Sequence, residues 1–425
     1  MQNRRQFLRQ SVAASAACLA PTVLPSRLFG KNSPNNKITL AFIGVRNMGM
    51  NNLRNFIGRE EVQVVAVCDV DQRIGLEAKQ FVDERYGNTD CQLYGDFREV
   101  TRRPDIDAVV ISTPDHWHTI PALDAMKHEK DAYVEKPLTL TIEEGKALVA
   151  AVEKYGRVLQ TGSMQRSMYT FRHAVELVRN GYIGELKSIR ISLPGNNRFS
   201  DGPWTPDPIP AEFDYDFWLG PAPWEAYTEE RCHYNFRFIL DYSGGQVTNW
   251  GAHHLDIAQW ALDMDHSGPV EITGRGEFPD DGLFNTATFV DFDCLYDNGV
   301  TLTCKTDKNL NGIRLEGSEG WIVATRGSVR SSPAEITKQV IGPNDNRVYF
   351  SNDHADNFLN CIKSRRKPIT DEIVGHRSAT VCHLGNIAMM LKAHLKWDPK
   401  REVFTNSTAA NSMMARAARG EWRLS

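Results

Sequence analysis

The sequence lacks several features that would assign it to familiar classes of protein. No stretch approaches the roughly 20 consecutive apolar residues that a membrane-spanning helix requires, so stable membrane insertion is not expected. The 49 Lys and Arg residues nearly balance the 53 Asp and Glu residues, and neither sign forms a long run. Nucleic-acid binding depends on a basic surface. The balanced charge therefore favours a small-molecule partner over nucleic acid.

Paired cysteines are also missing. The eight cysteines are scattered singly, without a CxxC pair or a metal-ligand spacing, which argues against a disulfide framework. Cys68 lies in an apolar run, where a free thiol packs as a small hydrophobic side chain. Four histidines could be drawn into a zinc site: His116, His118, His253 and His254. No cysteine or HExxH spacing accompanies them, so no metal is predicted.

Residues 1–30 are predicted to be a targeting segment. Arg4 and Arg5 precede Phe-Leu, a short Ala-rich stretch and two prolines, an order that resembles a twin-arginine signal. The expected location is the periplasm or another compartment reached by this export route. Two alternatives stay open: a chance Arg-Arg pair at a disordered terminus, and a lipid anchor on Cys18.

The remaining chain is longer than one hydrophobic core usually serves, which predicts two domains. Over residues 37–155, apolar stretches of strand length alternate with helical patterns, and this order specifies a parallel, doubly wound sheet. The predicted strands are 38–44, 62–68, 108–112 and 132–134, and the predicted helices are 48–58, 74–86, 121–129 and 142–155.

Residues 156–425 show strands joined by short turns, which predicts an α/β domain with a mainly antiparallel sheet. The predicted strands are 186–193, 287–292, 300–305, 313–316 and 321–325, and the predicted helices are 354–363 and 378–396. Segment 203–223, rich in Pro, Trp and Asp, is expected to be a long, ordered surface loop. Trp218 and Trp224 are expected to anchor this loop rather than to contact a sugar.

A glycine-containing turn follows the first predicted strand. Residues 44–49 keep Gly44 and Gly49, the first and third glycines of a GxGxxG turn, before a helix whose N-terminus could hold a pyrophosphate. Arg46 replaces the middle glycine. It either pushes the phosphates away or turns its guanidinium toward them, and we favour the second. By itself the turn could also be a plain connection between a strand and a helix.

An acidic residue strengthens the prediction of a dinucleotide site. Asp69 ends the second predicted strand, 25 residues after Gly44. This is near the offset of about 20 residues expected for a carboxylate that binds the adenosine ribose. Because a carboxylate repels a 2′-phosphate, NAD is favoured over NADP. Arg73, close by, leaves tolerance of NADP open.

Two further motifs follow the next two strands: Ser-Thr-Pro-Asp-His-Trp-His at 112–118 and Glu-Lys-Pro at 135–137. Their order resembles that of the Gfo/Idh/MocA oxidoreductases, and the resemblance covers nearly all of the chain after residue 30. A surface Glu-Lys pair is the alternative for the second motif. The resemblance implies a Rossmann domain followed by a substrate-binding domain, a bound NAD and a homo-oligomer.

The implied cofactor-binding set joins the turn, the acidic residue and both motifs: Gly44, Arg46, Asn47, Met48, Gly49, Asp69, Thr113, Pro114, His118 and Glu135. The resemblance also implies that Lys136 contacts the substrate and that Pro137 introduces a strained, cis peptide bond.

Oxidation of a carbinol needs a group that steadies the oxygen and a base that removes the proton. Lys136 suits the first role and is expected to share the second, because partial desolvation beside a nicotinamide cation lowers a lysine pKa. In the family, an Asp and a His four residues apart share one helix face. Here Asn249 takes the aspartate place and His253 the histidine place. A neutral amide cannot stabilise imidazolium, so His253 is expected to be a weaker base.

Lys136 and His253 are therefore the predicted catalytic residues, and both are also predicted to bind substrate together with Asn249, His254 and Asp256. For His254, simple packing or solvent exposure at a helix start is the alternative. Asp256 could pair with a substrate hydroxyl or support the helix.

A sugar pocket combines aromatic faces with hydrogen-bonding side chains. Candidates in the second half are Asn196, Asn197, Trp204, Trp218, Trp224, Tyr234, Asn235, Arg237 and Trp250. Three functions stay open. An NAD-dependent sugar or polyol oxidoreductase leads, and a glycoside hydrolase or lyase that oxidises a sugar hydroxyl transiently is second. A non-catalytic NAD-dependent sensor is third, disfavoured by the intact Lys136.

Overall fold

The computed structural model describes residues 37–196, 198, 202–307 and 312–424. Outside these residues lie the predicted signal segment, which includes Arg4, Arg5 and Cys18, and the candidate sugar contact Asn197. Among the residues that the structure covers, no helix combines the length and the apolar character needed to cross a membrane. The seven cysteines in this part of the chain are buried free thiols.

The first domain is built on a parallel sheet. Its strands are β1 (Ile38–Ile43), β2 (Val62–Cys68), β3 (Gln92–Tyr94), β4 (Ala108–Ile111), β5 (Asp131–Val134) and β6 (Leu159–Thr161). They are arranged in the order β3-β2-β1-β4-β5-β6, and each neighbouring pair is parallel. From β1, the strands β2 and β3 extend the sheet to one side, and the strands β4 to β6 extend it to the other. Doubly wound sheets bind ligands at this switch point, here between β1 and β4. The predicted doubly wound sheet is confirmed.

Helices connect these strands on both faces of the sheet. They are α1 (Met48–Ile57), α2 (Gln72–Tyr86), α3 (Phe97–Thr101), α4 (Thr119–Lys127) and α5 (Ile142–Tyr155). α5 has the predicted bounds because a capping box starts it: Thr141 Oγ1 accepts the N–H of Glu144, whose carboxylate accepts the N–H of Thr141. α2 begins two residues before the prediction because Asp71 caps it by accepting the N–H of Arg73.

The second domain is built on a nine-stranded sheet. Its strands are β7 (Leu186–Leu193), β8 (Glu271–Glu277), β9 (Phe289–Leu295), β10 (Thr301–Thr306), β11 (Gly312–Gly317), β12 (Trp321–Ala324), β13 (Val329–Ser332), β14 (His394–Asp398) and β15 (Val403–Phe404). The order is β13-β12-β11-β7-β10-β9-β8-β14-β15. β7 and β10 run parallel, while the other described pairs are antiparallel. The predicted mainly antiparallel sheet is confirmed.

The remaining helices are α6 (Tyr169–Arg179), α7 (Tyr215–Leu219), α8 (Gln246–Leu262), α9 (His354–Ser364), α10 (Glu372–Leu391) and α11 (Thr408–Ser412). α6, α8 and α10 pack on one face of the nine-stranded sheet and form its core with buried side chains such as Phe171, Leu255 and Phe292. This layer holds α8, the helix that carries Asn249 and His253, against the first domain.

The helix predicted at 378–396 is misplaced at both ends. α10 begins at Glu372, because Asp371 caps it by accepting the N–H groups of Ile373 and Val374. It ends at Leu391, and Lys392 then takes a left-handed conformation with a φ of 49°. The chain turns there into β14, so the last predicted residues are in a strand. The apolar pattern alone did not mark either end.

Segment 203–223 is not a surface loop throughout. Its second half contains α7 and buries Phe213, Tyr215 and Trp218 in an aromatic cluster with Tyr242. The Trp218 carbonyl also accepts the indole N–H of Trp117 at 2.9 Å. Trp218 is therefore the anchor that the sequence predicted, joined to the first domain. Trp224, expected to act in the same way, is 66% exposed.

The first domain extends beyond the predicted boundary at residue 155. β6 pairs with β5 in the first sheet, although the sequence placed residues 156–425 in the second domain. α9 also returns to the first domain, where Phe358 packs against Phe56 of α1 with ring centroids 6.3 Å apart. Periodicity along the chain cannot reveal a helix that packs on a distant segment.

Candidate active site

The carboxyl ends of β1, β2, β4 and β5 border a cavity of about 390 Å³ that the second domain closes. Most of the predicted site residues line it: Gly44, Arg46, Asn47, Met48, Asp69, Thr113, Pro114, His118, Glu135, Lys136, Asn249 and His253. Gly49, His254 and Asp256 lie outside this lining. The cavity thus joins the glycine turn to Lys136 and His253.

The glycine turn is closely packed. Gly44 has a φ of 77°, and an added Cβ would lie 2.8 Å from the backbone nitrogen of Thr113. A Cβ on Gly49 would lie 1.9 Å from the carbonyl oxygen of Gly44. Gly49 therefore lets α1 approach the turn, which is why it is needed although it does not line the cavity. Arg46, in the place of the middle glycine, is exposed and lines the cavity.

Asp69 is held beside this turn. Its Oδ2 accepts the N–H of Val45 at 2.9 Å, and its Oδ1 accepts the N–H of Asp71 at 3.0 Å. Burial raises the pKa of Asp69 to about 6, although both N–H donors act in the opposite direction. Each carboxylate oxygen retains accepting capacity. Asp69 can therefore accept ribose hydroxyls when it is ionised.

His118 links the two motif loops. Its Nδ1 lies 2.7 Å from the carbonyl oxygen of Pro137, and its Nε2 lies 2.9 Å from that of Thr113. The peptide bond between Lys136 and Pro137 is cis, as the family resemblance implied. His118 thus positions both loops at the cavity wall.

Glu135 is a buried residue in the lining of the cavity. Its Oε1 accepts the amide N–H of Asn52 on α1 at 3.0 Å, and its Oε2 accepts the backbone N–H of Lys136 at 3.2 Å. Asn52 also donates to Ser112 Oγ at 3.1 Å. Asn52 was not among the site residues predicted from the sequence. The available signal was a polar residue on the apolar face of α1, beside Leu53.

Lys136 contacts α8 through its ammonium group. Its Nζ donates to Asn249 Oδ1 at 3.1 Å and to the Asn249 carbonyl oxygen at 3.3 Å. Burial lowers the pKa of Lys136, Glu135 opposes this effect, and Arg237 adds to it. Two of the three ammonium hydrogens are engaged, which leaves one for a substrate oxygen.

His253 is 5% exposed, and its Nδ1 has no hydrogen-bond partner among the described residues. Burial lowers its pKa well below the ordinary value, and the charges of Lys136 and Arg326 act in the same direction. His253 is therefore a neutral imidazole at physiological pH. Such a group can accept a proton.

The expected pairing of Asn249 with His253 is not found in the described residues. The Asn249 amide oxygen accepts from Lys136, and its amide nitrogen donates to Gln246 Oε1 at 3.3 Å. The spacing of four residues places both side chains on one helix face. It does not set the hydrogen-bond partner, which here is a lysine from the first domain.

Residues 38–163 match the family model described as an oxidoreductase family, NAD-binding Rossmann fold, and residues 199–424 match the same family's C-terminal alpha/beta domain. The chain belongs to the Gfo/Idh/MocA oxidoreductase family. Its first domain is the NAD-binding domain of that family, and NAD is its cofactor.

Curated relatives match this Gfo/Idh/MocA chain over part of their length. A protein named glycosyl hydrolase family 109 protein 1, from Shewanella sp. strain ANA-3, is 31% identical over 205 residues, which is 43% of this chain and 44% of the relative. An alpha-N-acetylgalactosaminidase from Shewanella oneidensis is 30% identical over 205 residues, with the same coverage of both chains. The match thus spans less than half of each relative.

Solved structures share the fold. The aldose-aldose oxidoreductase from Caulobacter crescentus, complexed with glycerol, has a TM-score of 0.62 and 20% identity, covering 85% of this chain and 99% of that one. The WlbA dehydrogenase from Bordetella pertussis, in complex with NADH and UDP-GlcNAcA, has a TM-score of 0.63 and 15% identity, with the same coverage. At these identities, the likeness shows the fold.

Two of the predicted substrate residues serve the core of this Gfo/Idh/MocA protein. Asp256 is fully buried, and its carboxylate accepts from Arg166 Nε at 2.9 and 3.0 Å and from Ser378 Oγ at 2.8 Å. It ties α8 to α10, so the structure corrects the predicted contact with a substrate hydroxyl. His254 is buried and stacks on Trp250 with ring centroids 6.1 Å apart.

Four of the candidate sugar contacts line the cavity: Trp218, Tyr234, Arg237 and Trp250. Asn196, Trp204, Trp224 and Asn235 do not. Two charged residues at the cavity were missed. Asp115 is buried and accepts the hydroxyl hydrogen of Ser243 at 2.6 Å. Arg326 follows β12, and nothing in its local sequence indicated a site.

Metal ligands are not grouped in the described residues, where no cluster of three or more His, Cys, Asp or Glu side chains could hold a metal ion. His116, one candidate ligand, is buried with its Nε2 3.0 Å from the carbonyl oxygen of Trp218.

Proposed function

We propose that this Gfo/Idh/MocA protein is an NAD-dependent oxidoreductase that transfers hydride between a hydroxyl-bearing carbon of a sugar or polyol and bound NAD. The observation that carries the proposal is a single cavity lined by the glycine turn, by the ammonium of Lys136 and by the neutral, buried His253. A donor and a proton acceptor beside a dinucleotide site are what alcohol oxidation requires.

The residues at the first-domain end fit the cofactor. Gly44 and Gly49 allow the turn to pack closely against Thr113 and α1, and the N-terminus of α1 would hold a pyrophosphate. Asp69 is placed to accept ribose hydroxyls. When bound, NAD supplies the hydride acceptor.

Lys136 and His253 divide the remaining chemistry. Lys136 donates its third ammonium hydrogen to the carbinol oxygen and so stabilises negative charge that develops there. His253, kept neutral by burial, accepts the hydroxyl proton. Asn249 fixes the ammonium group through two hydrogen bonds.

The proposal is tested with the purified protein. Its cofactor content is measured after denaturation, and a carbohydrate panel is assayed by NADH absorbance and by product mass. We expect bound NAD(H) and an oxidised product with some member of the panel. Absence of bound dinucleotide, together with no binding of added NAD, contradicts the proposal.

A second candidate is a glycoside hydrolase or lyase that oxidises a sugar hydroxyl transiently. It is favoured by the relatives named glycosyl hydrolase family 109, which match at 30–31% identity. An aryl glycoside of N-acetylgalactosamine separates the two candidates. Release of the aryl group without net NADH formation supports hydrolysis or elimination, and formation of NADH with an oxidised sugar supports the dehydrogenase.

Export and assembly are also proposed. Arg4 and Arg5 support export by the twin-arginine route to the periplasm. The double change of Arg4 and Arg5 to Lys is expected to stop periplasmic accumulation, because the arginine pair is recognised as an address.

A homo-oligomer is proposed on family resemblance. Light scattering during gel filtration measures it, and a monomer mass contradicts it.

A further inference from the structure

Three cationic side chains, Lys136, Arg237 and Arg326, line the part of the cavity next to the second domain. They come from separate segments: Lys136 follows β5, Arg237 lies in the short helical turn Asn235–Phe238, and Arg326 follows β12. Their charges interact, because both arginines lower the pKa of Lys136. The second domain therefore adds two positive charges next to a lysine that is already there.

In the described part of the chain, none of the ion pairs includes Lys136, Arg237 or Arg326. The carboxylates of Glu135 and Asp115 lie nearby and offset part of the positive charge, but each accepts its hydrogen bonds from other groups. Asp115 accepts from Ser243, and Glu135 accepts from Asn52 and from a backbone N–H. Like charges in one cavity repel each other, so an anion bound among them would be stabilised.

Aromatic rings hold both guanidinium groups in place without removing their charge. Arg326 lies over the ring of Trp250, 4.7 Å from its centroid. Arg237 lies 4.8 Å from the ring centroid of Tyr234, and its Nη1 donates to the Tyr234 carbonyl oxygen at 2.9 Å. A stacked guanidinium is preorganised for a carboxylate or phosphate, which accepts from its planar fork.

The cofactor phosphates do not account for these two arginines. Arg46 lines the cavity at the glycine turn, and its charge acts on Asp69 and His233. A pyrophosphate belongs at that turn, beside the N-terminus of α1. Arg237 and Arg326 act instead on Lys136. His253 lies beside them, and its Nδ1 has no hydrogen-bond partner among the residues that the structure describes.

We propose that the substrate of this site is a sugar with an anionic group, a carboxylate or a phosphate, bound by Arg326 and Arg237. The inference rests on the proposed function, since it assumes that a sugar is the reacting molecule. It adds that the second domain selects sugars by charge, and that the anionic group lies on the Arg326 side of the reacting hydroxyl.

The test measures binding to NAD-saturated protein by calorimetry, with glucose, glucuronate and glucose 6-phosphate as probes. We expect at least one anionic probe to bind about tenfold or more tightly than glucose, as a charge-assisted hydrogen bond allows. The preference should fall as salt is added. Tighter binding of glucuronate than of glucose 6-phosphate assigns a carboxylate, and the reverse order assigns a phosphate.

Arg326→Gln should remove most of this preference without changing the affinity for NAD. Arg330→Gln is the matched control, because Arg330 lies on the same hairpin, is exposed and does not line the cavity. It should leave the preference intact.

Equal affinity for the three probes overturns the inference, as does failure of both anionic probes to bind at millimolar concentration. An anion preference that Arg326→Gln does not change overturns it as well. Failure of the proposed function is seen separately. It would appear as absence of NAD binding, or as absence of hydride transfer to NAD from any sugar, in a protein that still prefers the anionic probes.

Discussion

Asn249→Asp tests how the catalytic lysine is controlled. In the structure, Asn249 Oδ1 accepts from Lys136 Nζ at 3.1 Å, so a carboxylate in its place would contact the ammonium directly. An opposite charge within about 4–6 Å raises a lysine pKa by about 1–3 units. Each unit corresponds to about 1.4 kcal/mol, so the substitution favours the ammonium by about 1.4–4 kcal/mol.

The expected result is a change in one limb of the pH–rate profile. Lys136 acts as a charged donor, and activity is lost at high pH as it deprotonates. A higher pKa keeps it charged to higher pH, so the alkaline limb should move upward by about 1–3 units. If the new carboxylate paired with His253 instead, it would favour imidazolium and move the acid limb.

The measurement is kcat/KM over about pH 5 to 11, which reports the ionisations of the free enzyme. Asn249→Ala is the control, because it removes the same hydrogen bond without adding charge and should not raise the alkaline limb. Bound NAD and circular dichroism establish that each variant is folded. An alkaline limb that stays in place or moves downward in Asn249→Asp would refute the reasoning.

Substitutions at Asp69, Lys136, His253 and Asp256 test the roles of these polar residues. Asp69→Ala should weaken NAD binding and improve the relative use of NADP, because it removes the ribose acceptor and the repulsion of a 2′-phosphate; equal titrations of wild type and variant with both cofactors would contradict this. In the wild type, the affinity for NAD should fall as the pH drops through about 6, because Asp69 takes up a proton there and can no longer accept both ribose hydroxyls. Fluorescence titration with NAD across that pH range measures this fall. Lys136→Ala should abolish turnover, whereas His253→Ala should leave a measurable rate about 10²–10⁴-fold lower, and steady-state kinetics compares them. Asp256→Asn should lower the free energy of unfolding by about 3 kcal/mol in urea denaturation, because it leaves the buried Arg166 short of one charged partner. Glu185→Gln, at an exposed ion pair, is the control and should lower the free energy of unfolding by less than about 1 kcal/mol. Equal losses in the two variants would argue against this account.

The sequence by itself was sufficient to predict four of the six strands of the first domain. Its central strands are largely buried on both faces, so they appear as nearly continuous apolar runs such as 38–43 and 62–68. Local chemistry also marks some ends, since the Thr141 capping box placed α5 correctly. The glycine turn, Asp69 and the two motif loops follow successive strands, and the carboxyl ends of parallel strands meet at one edge. Chain order alone therefore predicted that they would come together.

The second domain was less predictable because its sheet has one polar face. β8 carries a single buried apolar side chain, Ile272. It also contains Gly274, where a Cβ would clash with Met389 on α10, and Gly276, where a Cβ would clash with Phe278. A strand of this composition has no hydrophobic pattern to detect. Its existence depends on β9, β14 and α10, which are distant in the chain.

Tertiary structure also decided what the side chains of α8 contact. The sequence placed Asn249, His253 and Asp256 on one helix and could not say where each side chain is directed. Asn249 contacts Lys136, 113 positions away, and Asp256 contacts Arg166, 90 positions away. Arg326 reaches the same cavity from a hairpin. Helical spacing sets which residues share a face, but long-range packing supplies their partners, and these partners determine charge and protonation in the site.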